Sequence, residues 1–377
     1  KILPIPSGAF CRRLLRHTAP FLKIPLSETS FPMPSPRNHR SGSYKPVLFL
    51  FCVFALCWTT LLLFAGGFTT SIRAGMAFLD WPLSNGSVNP SGWLTESDKM
   101  AEHSHRLLGA KVGVLAVILF LWTWWREERA WVRAIARLLL LTIVLQGVLG
   151  GARVRFDQLN TAADHNLVAQ MFAVAHACGA QATLGLLVAL TIASSRRWIE
   201  RGGGFARPVP DSLRHWGVAA CAALFLQILL GAVMRHAGAG LAIARFPLAR
   251  EGSFLPGYWD FGVTVHFAHR AGALAVTLLL AVWLARIFRA PAARRALGFG
   301  AGLIALALGA QIYLGALTIW TAKNPQAATL HMLLGAFLLA CAFGVTFFAH
   351  HPAARAARAT ATVPVRAGES APAGGAA

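Results

Sequence analysis

The sequence predicts an all-α integral membrane protein in which eight transmembrane helices form two repeated four-helix bundles. Three observations carry that prediction. Of the 377 residues, 56% are hydrophobic and 13% charged, about half the charge of an ordinary soluble domain. Eight apolar runs, at about 46–68, 105–125, 134–152, 167–193, 216–236, 264–288, 297–320 and 327–349, each approach the roughly 20 residues a bilayer requires. Three of these runs end alike, in Gln146-Gly147-Val148-Leu149-Gly150-Gly151, Gln227-Ile228-Leu229-Leu230-Gly231-Ala232 and Gln311-Ile312-Tyr313-Leu314-Gly315-Ala316. Run one ends in Gly66-Gly67 without the glutamine. Small residues at such places let helices approach one another, or a flat macrocycle, closely.

Taken in order, residues 1–45 are basic and rich in Pro and Ser, with Glu28 the only acid and no uninterrupted apolar run, so a disordered tail is expected. An overextended start with Met33 as initiator fits this composition best, and a transit peptide is the other reading. Residues 46–193 then form the first bundle, 194–215 a linker, 216–350 the second bundle and 351–377 a second disordered tail. The first loop gives way to run two at Glu102-His103-Ser104-His105-Arg106. A helix beginning there carries Glu102 and His105 three residues apart on one face with Arg106 beside them. Run six repeats the arrangement as Val265-His266-Phe267-Ala268-His269-Arg270. His176 lies inside run four and His331 at the start of run eight.

The formal charge of +21 is explained by topology, and nucleic acid is not among the expected partners. Connections 126–133, 194–215 and 289–296 hold Arg126, Arg129, Arg133, Arg196, Arg197, Arg201, Arg207, Arg214, Arg289, Arg294 and Arg295. With the basic tails, they place both termini in the cytoplasm, in a bacterial inner membrane rather than a mitochondrial one. The opposite connections, about 69–104, 153–166, 237–263 and 321–326, hold Asp80, Glu96, Asp98, Asp157, Asp164, Glu251 and Asp260 and face outside. His105, His176, His269 and His331 then share one depth in the outer half of the membrane. The six cysteines show no CxxC spacing; five read as packing residues, and Cys11 in the tail is uninformative.

Ionisable groups inside a bilayer are costly and mark sites. A single such histidine is as readily a polar group satisfied between helices, but four in repeat-related positions point to axial ligation of haem, as the pairs His105 with His176 and His269 with His331. Arg106 and Arg270, directly after two of these ligands, are placed to pair with haem propionates, although interface anchoring is the plainer role. His103, His165, His236 and His266 are expected at solvent or behind the ligands; His165 is a rival to His176, disfavoured by depth. His215, His350 and His351 are expected at the inner interface without a specific role.

Glu102-xx-His105-Arg106, His269-Arg270, the Gly-Gly ends of runs one and three, Gly75-Met76 and Asp80-Trp81-Pro82 together resemble the haem A synthase family over roughly residues 46–350. The resemblance implies an oxidoreductase that converts the methyl group of haem O to the formyl group of haem A for terminal oxidase assembly. It also implies a bound haem b as electron carrier and substrate haem in the other half. Glu102 has no carboxylate counterpart in the second half, where His266 stands. That difference assigns Glu102 as catalytic, His105 and His176 to substrate haem, and His269 and His331 to the haem b cofactor. Candidate partners are haem O, membrane lipid, a haem O synthase or oxidase-assembly protein and a second copy of the chain; the electron donor stays open. The outer loops lack the cysteine pair of many family members, and the first is shorter than in mitochondrial ones. The other readings are a di-haem b-type cytochrome that only passes electrons and a haem carrier without chemistry.

Overall fold

A computed structural model describes residues 43–158, 166–201, 205 and 209–352. The expected tails, Cys11, Met33, His165 and Arg207 lie outside the described residues, apart from residues 43–45 and 351–352 at the inner edges of the tails. Lipid offers no partner to backbone polar groups, so each apolar run closes its own hydrogen bonds as a helix. The spanning helices are α1 (Pro46–Ser71), α2 (Ser97–Arg126), α3 (Ala130–Gln158), α4 (Leu167–Ser194), α6 (Asp211–His236), α7 (Phe261–Arg289), α8 (Pro291–Trp320) and α9 (Pro325–Ala349). A short helix α5 (Arg196–Ile199) occupies the linker, and a single 3-10 turn (Ala239–Leu241) follows α6.

Local chemistry sets the starts. Proline opens α1, α8 and α9, where a missing N–H costs nothing. The side chains of Asn166, Asp260 and Asn324 cap α4, α7 and α9, accepting from Ala169 N–H (3.1 Å), Val263 N–H (2.7 Å) and Ala327 N–H (3.1 Å) respectively. Helix α2 begins at Ser97, two turns before the apolar run that marks it in the sequence. Those turns are polar, with Asp98 in the first turn complementing the helix dipole, so hydropathy alone misses them.

Consecutive helices pack as four hairpins, α1–α2, α3–α4, α6–α7 and α8–α9. Contacts of α2 with α3 and α1 with α4 close one ring of four, and contacts of α7 with α8 and α6 with α9 close another. The rings meet through α1, α4, α6 and α9, and α4 and α9 are the most enclosed helices. On the outer helices Trp125, Leu306 and Phe299 project outward, as a lipid-facing surface requires.

Each ring has an apolar core at the end where the linker lies. One core gathers Leu48, Cys52, Leu119, Leu139 and Leu190, and the other Leu213, Leu280, Trp283, Ile287 and Ile304. Gly217 brings α6 against Trp283 and Thr346, since an added Cβ would lie 2.6 Å from the Thr346 hydroxyl. Cys52 and Cys178 are buried, Cys221 and Cys341 half-buried, and Cys57 is exposed. The opposite end of each ring is filled differently, by histidines.

Candidate functional site

Each of the four histidines lies near the start of the second helix of a hairpin, and each faces a glycine near the end of the first helix. A Cβ added at Gly66 on α1 would stand 2.6 Å from Cε1 of His105 on α2. The corresponding distances are 3.4 Å from Gly150 on α3 to His176 on α4, 2.9 Å from Gly231 on α6 to His269 on α7, and 3.1 Å from Gly315 on α8 to His331 on α9. Real Cβ atoms essentially never approach within 3.0 Å, so at Gly66 and Gly231 any larger residue would push the imidazole out of its place. One turn before three of these glycines stand Gln146, Gln227 and Gln311, whose side chains press on Gly179, Gly272 and Gly335 just after the histidines. In the first hairpin Leu62 takes this position against Gly109.

Within the second half the imidazoles of His269 and His331 have ring centroids 6.5 Å apart at 74°. The Gln227 amide nitrogen lies 3.1 Å from His269 Nδ1 and 2.8 Å from its carbonyl oxygen. His331 Nδ1 lies 3.1 Å from the Gln311 carbonyl oxygen, and the Gln311 amide nitrogen 3.5 Å from His331 Nε2. In the first half, the imidazoles of His105 and His176 are buried, each against the backbone of the facing helix, at Leu62 and at Gln146.

The groups flanking His105 and His269 hold the loops at the histidine end. Glu102, 4% exposed, accepts from Phe78 N–H at Oε2 (3.0 Å) and from Arg106 at Oε1 (2.5 Å). Arg106 also donates to the carbonyl oxygens of Asp80 (2.6 Å), Leu83 and Phe78 (3.1 Å). The second half repeats the clamp. His266 Nδ1 lies 3.3 Å from Ile243 N, and Arg270 donates to the carbonyl oxygens of Ile243 (2.9 Å), Arg245 (2.6 Å) and Leu248 (3.4 Å). Arg106 and Arg270 therefore both serve as loop anchors. His103 and His266, expected at solvent or behind the ligands, are each 3% exposed. His103 is held by Ser84 Oγ (3.0 Å) and Trp93, because the loop folds back over the start of α2. Asp80 accepts from Asn85 N–H and Gly86 N–H, both at 2.7 Å. Burial would raise its carboxyl, but those two bonds outweigh it and hold the group below the usual carboxylate value. His215 is exposed, whereas His351 is buried with Nε2 3.0 Å from the Trp198 carbonyl oxygen.

Sequence reasoning missed a cluster of cations at the histidine end. The charge of Arg153 bears on His105, His176 and His236, and that of Arg235 on His236 and His331. Arg235 also ties α6 to α1, donating to the Gly67 carbonyl oxygen (2.6 Å) and to Ser71 Oγ (2.7 Å). Burial, with the charges of Arg73 and Arg235, holds the Lys323 ammonium below its ordinary value. One signal was available: Arg153 and Arg235 follow Gly150 and Gly231 by about one helical turn.

Eight spans with two sets of glycine-backed histidines at one end define a class, a polytopic membrane protein with donor pairs set between helices. The comparisons place it further. Residues 94–343 match the family model described as cytochrome oxidase assembly protein. The chain is 32% identical over 266 residues to the Heme A synthase of Symbiobacterium thermophilum, covering 68% of this chain and 82% of that one. It is 28% identical to the Heme A synthase of Exiguobacterium sibiricum, over 81% of this chain and 95% of that one. The identity to the Heme A synthase of Geobacillus kaustophilus is 27%, over 85% and 97%. The chain belongs to the cytochrome oxidase assembly protein family, the family of the haem A synthases.

Bonds of the kind Arg270 makes to loop carbonyls are each worth about 1.5–3 kcal/mol. Arg270→Ala should therefore open the 237–260 loop, and limited proteolysis in detergent should cut it on the order of tenfold faster. Unchanged cleavage would show that the clamp does not hold the loop.

Proposed function

We propose that this protein is a haem A synthase, an oxidoreductase that converts the methyl group of haem O through the alcohol to the formyl group of haem A. The observation that carries the reading is the fourfold contact between histidine and glycine at one end of the bundle, in a chain of this family. Two imidazoles bound to one metal at about 2 Å each set their centroids roughly 6 Å apart, and His269 and His331 are at 6.5 Å. Among the described residues no group of three or more His, Cys, Asp or Glu could hold a bare ion. Paired donors suit a macrocycle that brings its own equatorial nitrogens.

In this reading residues 46–193 are the substrate half and 216–350 the cofactor half. His105 and His176 hold substrate haem, and His269 and His331 hold haem b, which supplies one-electron transfer when bound. Glu102 is the catalytic carboxylate; both its oxygens are engaged, so it takes a proton only by exchanging its bond to Arg106 or to Phe78 N–H. Propionate pairing, expected of Arg106 and Arg270, is shared with Arg153 and Arg235, which lie among the histidines and match a carboxylate in charge.

Expression with haem O supplied, followed by extraction and chromatography of the haems, tests the function. Wild type should yield formyl haem. Glu102→Gln should keep the b-type spectrum while formyl haem falls by about 10²–10⁴-fold. A wild type that makes no formyl haem with a working electron donor would contradict the reading and favour a di-haem electron carrier.

The arginine-rich connections and the bacterial relatives support an inner-membrane location with both termini in the cytoplasm. A reporter active only outside should be silent when fused after residue 350 and active within the 237–260 loop; the reverse pattern would invert the topology.

A further inference from the structure

Between the loop that joins α1 to α2 and the end of α3 lies a cavity of about 460 Å³, lined by none of the four histidines. Its walls include Leu79 and Trp81 from the loop and Val148, Gly151, Val154 and Phe156 from α3. The charged residues on them are Asp80 and Arg155, and the Asp80 carboxylate is turned to Asn85 N–H and Gly86 N–H. Trp81 lies on α3 because Gly151 has no side chain, since a Cβ there would stand 2.4 Å from the indole. The cavity adjoins the first-half site through both walls. Gly151 follows Gly150, the seat of His176, and the loop is tied through Asp80 to Arg106 and through Phe78 to Glu102.

The second half carries aromatic side chains in the corresponding place. The loop clamps align Asp80 with Arg245, and so Trp81 with Phe246, while the histidine seats align Gly150 with Gly315. On that register Val148 and Arg155 correspond to Tyr313 and Trp320. Trp320 packs edge-on against Phe246, with ring centroids 6.1 Å apart, and its indole N–H donates to the Phe246 carbonyl oxygen (3.3 Å). A tryptophan thus stands across from the loop in the half assigned to haem b, where the half assigned to substrate has an arginine and a cavity.

We infer that this cavity receives the long isoprenoid chain by which haem O differs from haem b, and that Trp320 denies that chain the matching place in the second half. The inference rests on the proposed function and names what makes the first half selective for its substrate. The volume falls within the roughly 300–1,000 Å³ of ligand pockets, which are likewise mostly apolar with few polar groups. An alkyl chain gains little by leaving lipid for an apolar wall, so the cavity acts through its shape. A disc held only between His105 and His176 is free to turn about the line joining them. A chain seated between the loop and α3 stops that rotation and presents one edge of the ring to Glu102.

Arg155→Trp, alone and with Val148→Tyr, gives the cavity the second half's own residues and tests this in the full-length protein. Purified in detergent and offered equal amounts of haem O and haem b, wild type should take up haem O preferentially in its first half, read by extraction and chromatography of the retained haems. The variants should lose that preference by about 10–200-fold, the range over which an apolar pocket separates ligands that differ by an apolar group. They should keep the b-type spectrum of the second half, which reports an intact fold, and should still admit haem b to the first. An undiminished preference for haem O, the result also expected if only a lipid acyl chain occupies the cavity, would overturn the inference while leaving haem A synthesis standing. Loss of both haems from the first half would make these residues structural and overturn it as well. A wild type that makes no formyl haem from haem O would overturn the proposed function and the inference together.

Discussion

The histidine end of this molecule depends on one steric fact, the absence of a side chain at Gly66, Gly150, Gly231 and Gly315. Each hairpin brings an imidazole onto the backbone of its partner helix, and a methyl group at Gly66 or Gly231 would occupy the place of the ring. In lipid there is no hydrophobic drive to press helices together, so close approach over small residues and polar contacts between helices must supply the association. The apolar cores sit at the other end of each ring, around Leu119 and Leu190 and around Trp283 and Ile304. They pack the hairpins together at that end, and the polar side chains gather at the other.

Beyond the histidines, the loops at that end are fastened by residues that flank His105 and His269. Glu102 and His266 meet the backbone N–H of Phe78 and Ile243, and Arg106 and Arg270 each collect three loop carbonyls. Histidine and loop are thus set by neighbouring positions on one helix, so a shift of α2 or α7 would move both together. The halves share this plan and differ at Glu102 against His266 and at Leu62 against Gln227. At those positions one half carries a carboxylate and a leucine where the other carries an imidazole and a glutamine.

The spans and their number were legible in the sequence because burial in lipid writes itself into hydropathy, and the four histidines stood out because an ionisable residue within an apolar run is rare. Small residues at the run ends were legible as places of close approach, though not as the seats of particular histidines, since that needs the hairpin register. The loop clamps were not legible. Their partners are backbone carbonyls and N–H groups of residues such as Phe78 and Ile243, which carry no side-chain signature. Arg153 and Arg235 drew no notice in the sequence, because only the fold sets them among the histidines. Helix α2 began earlier than its apolar run because polar turns keep their backbone hydrogen bonds without being hydrophobic.

The central claim is that the glycine-backed histidines form two separate haem sites, one in each half. Haem stoichiometry in purified single variants measures this most directly. Gly231→Leu should remove the b-type haem while leaving the capacity of the first half for added haem O, and Gly66→Leu should do the converse. Retention of full haem binding by both variants, or loss of all haem from either one with the protein still folded, would contradict two independent sites built on these glycines.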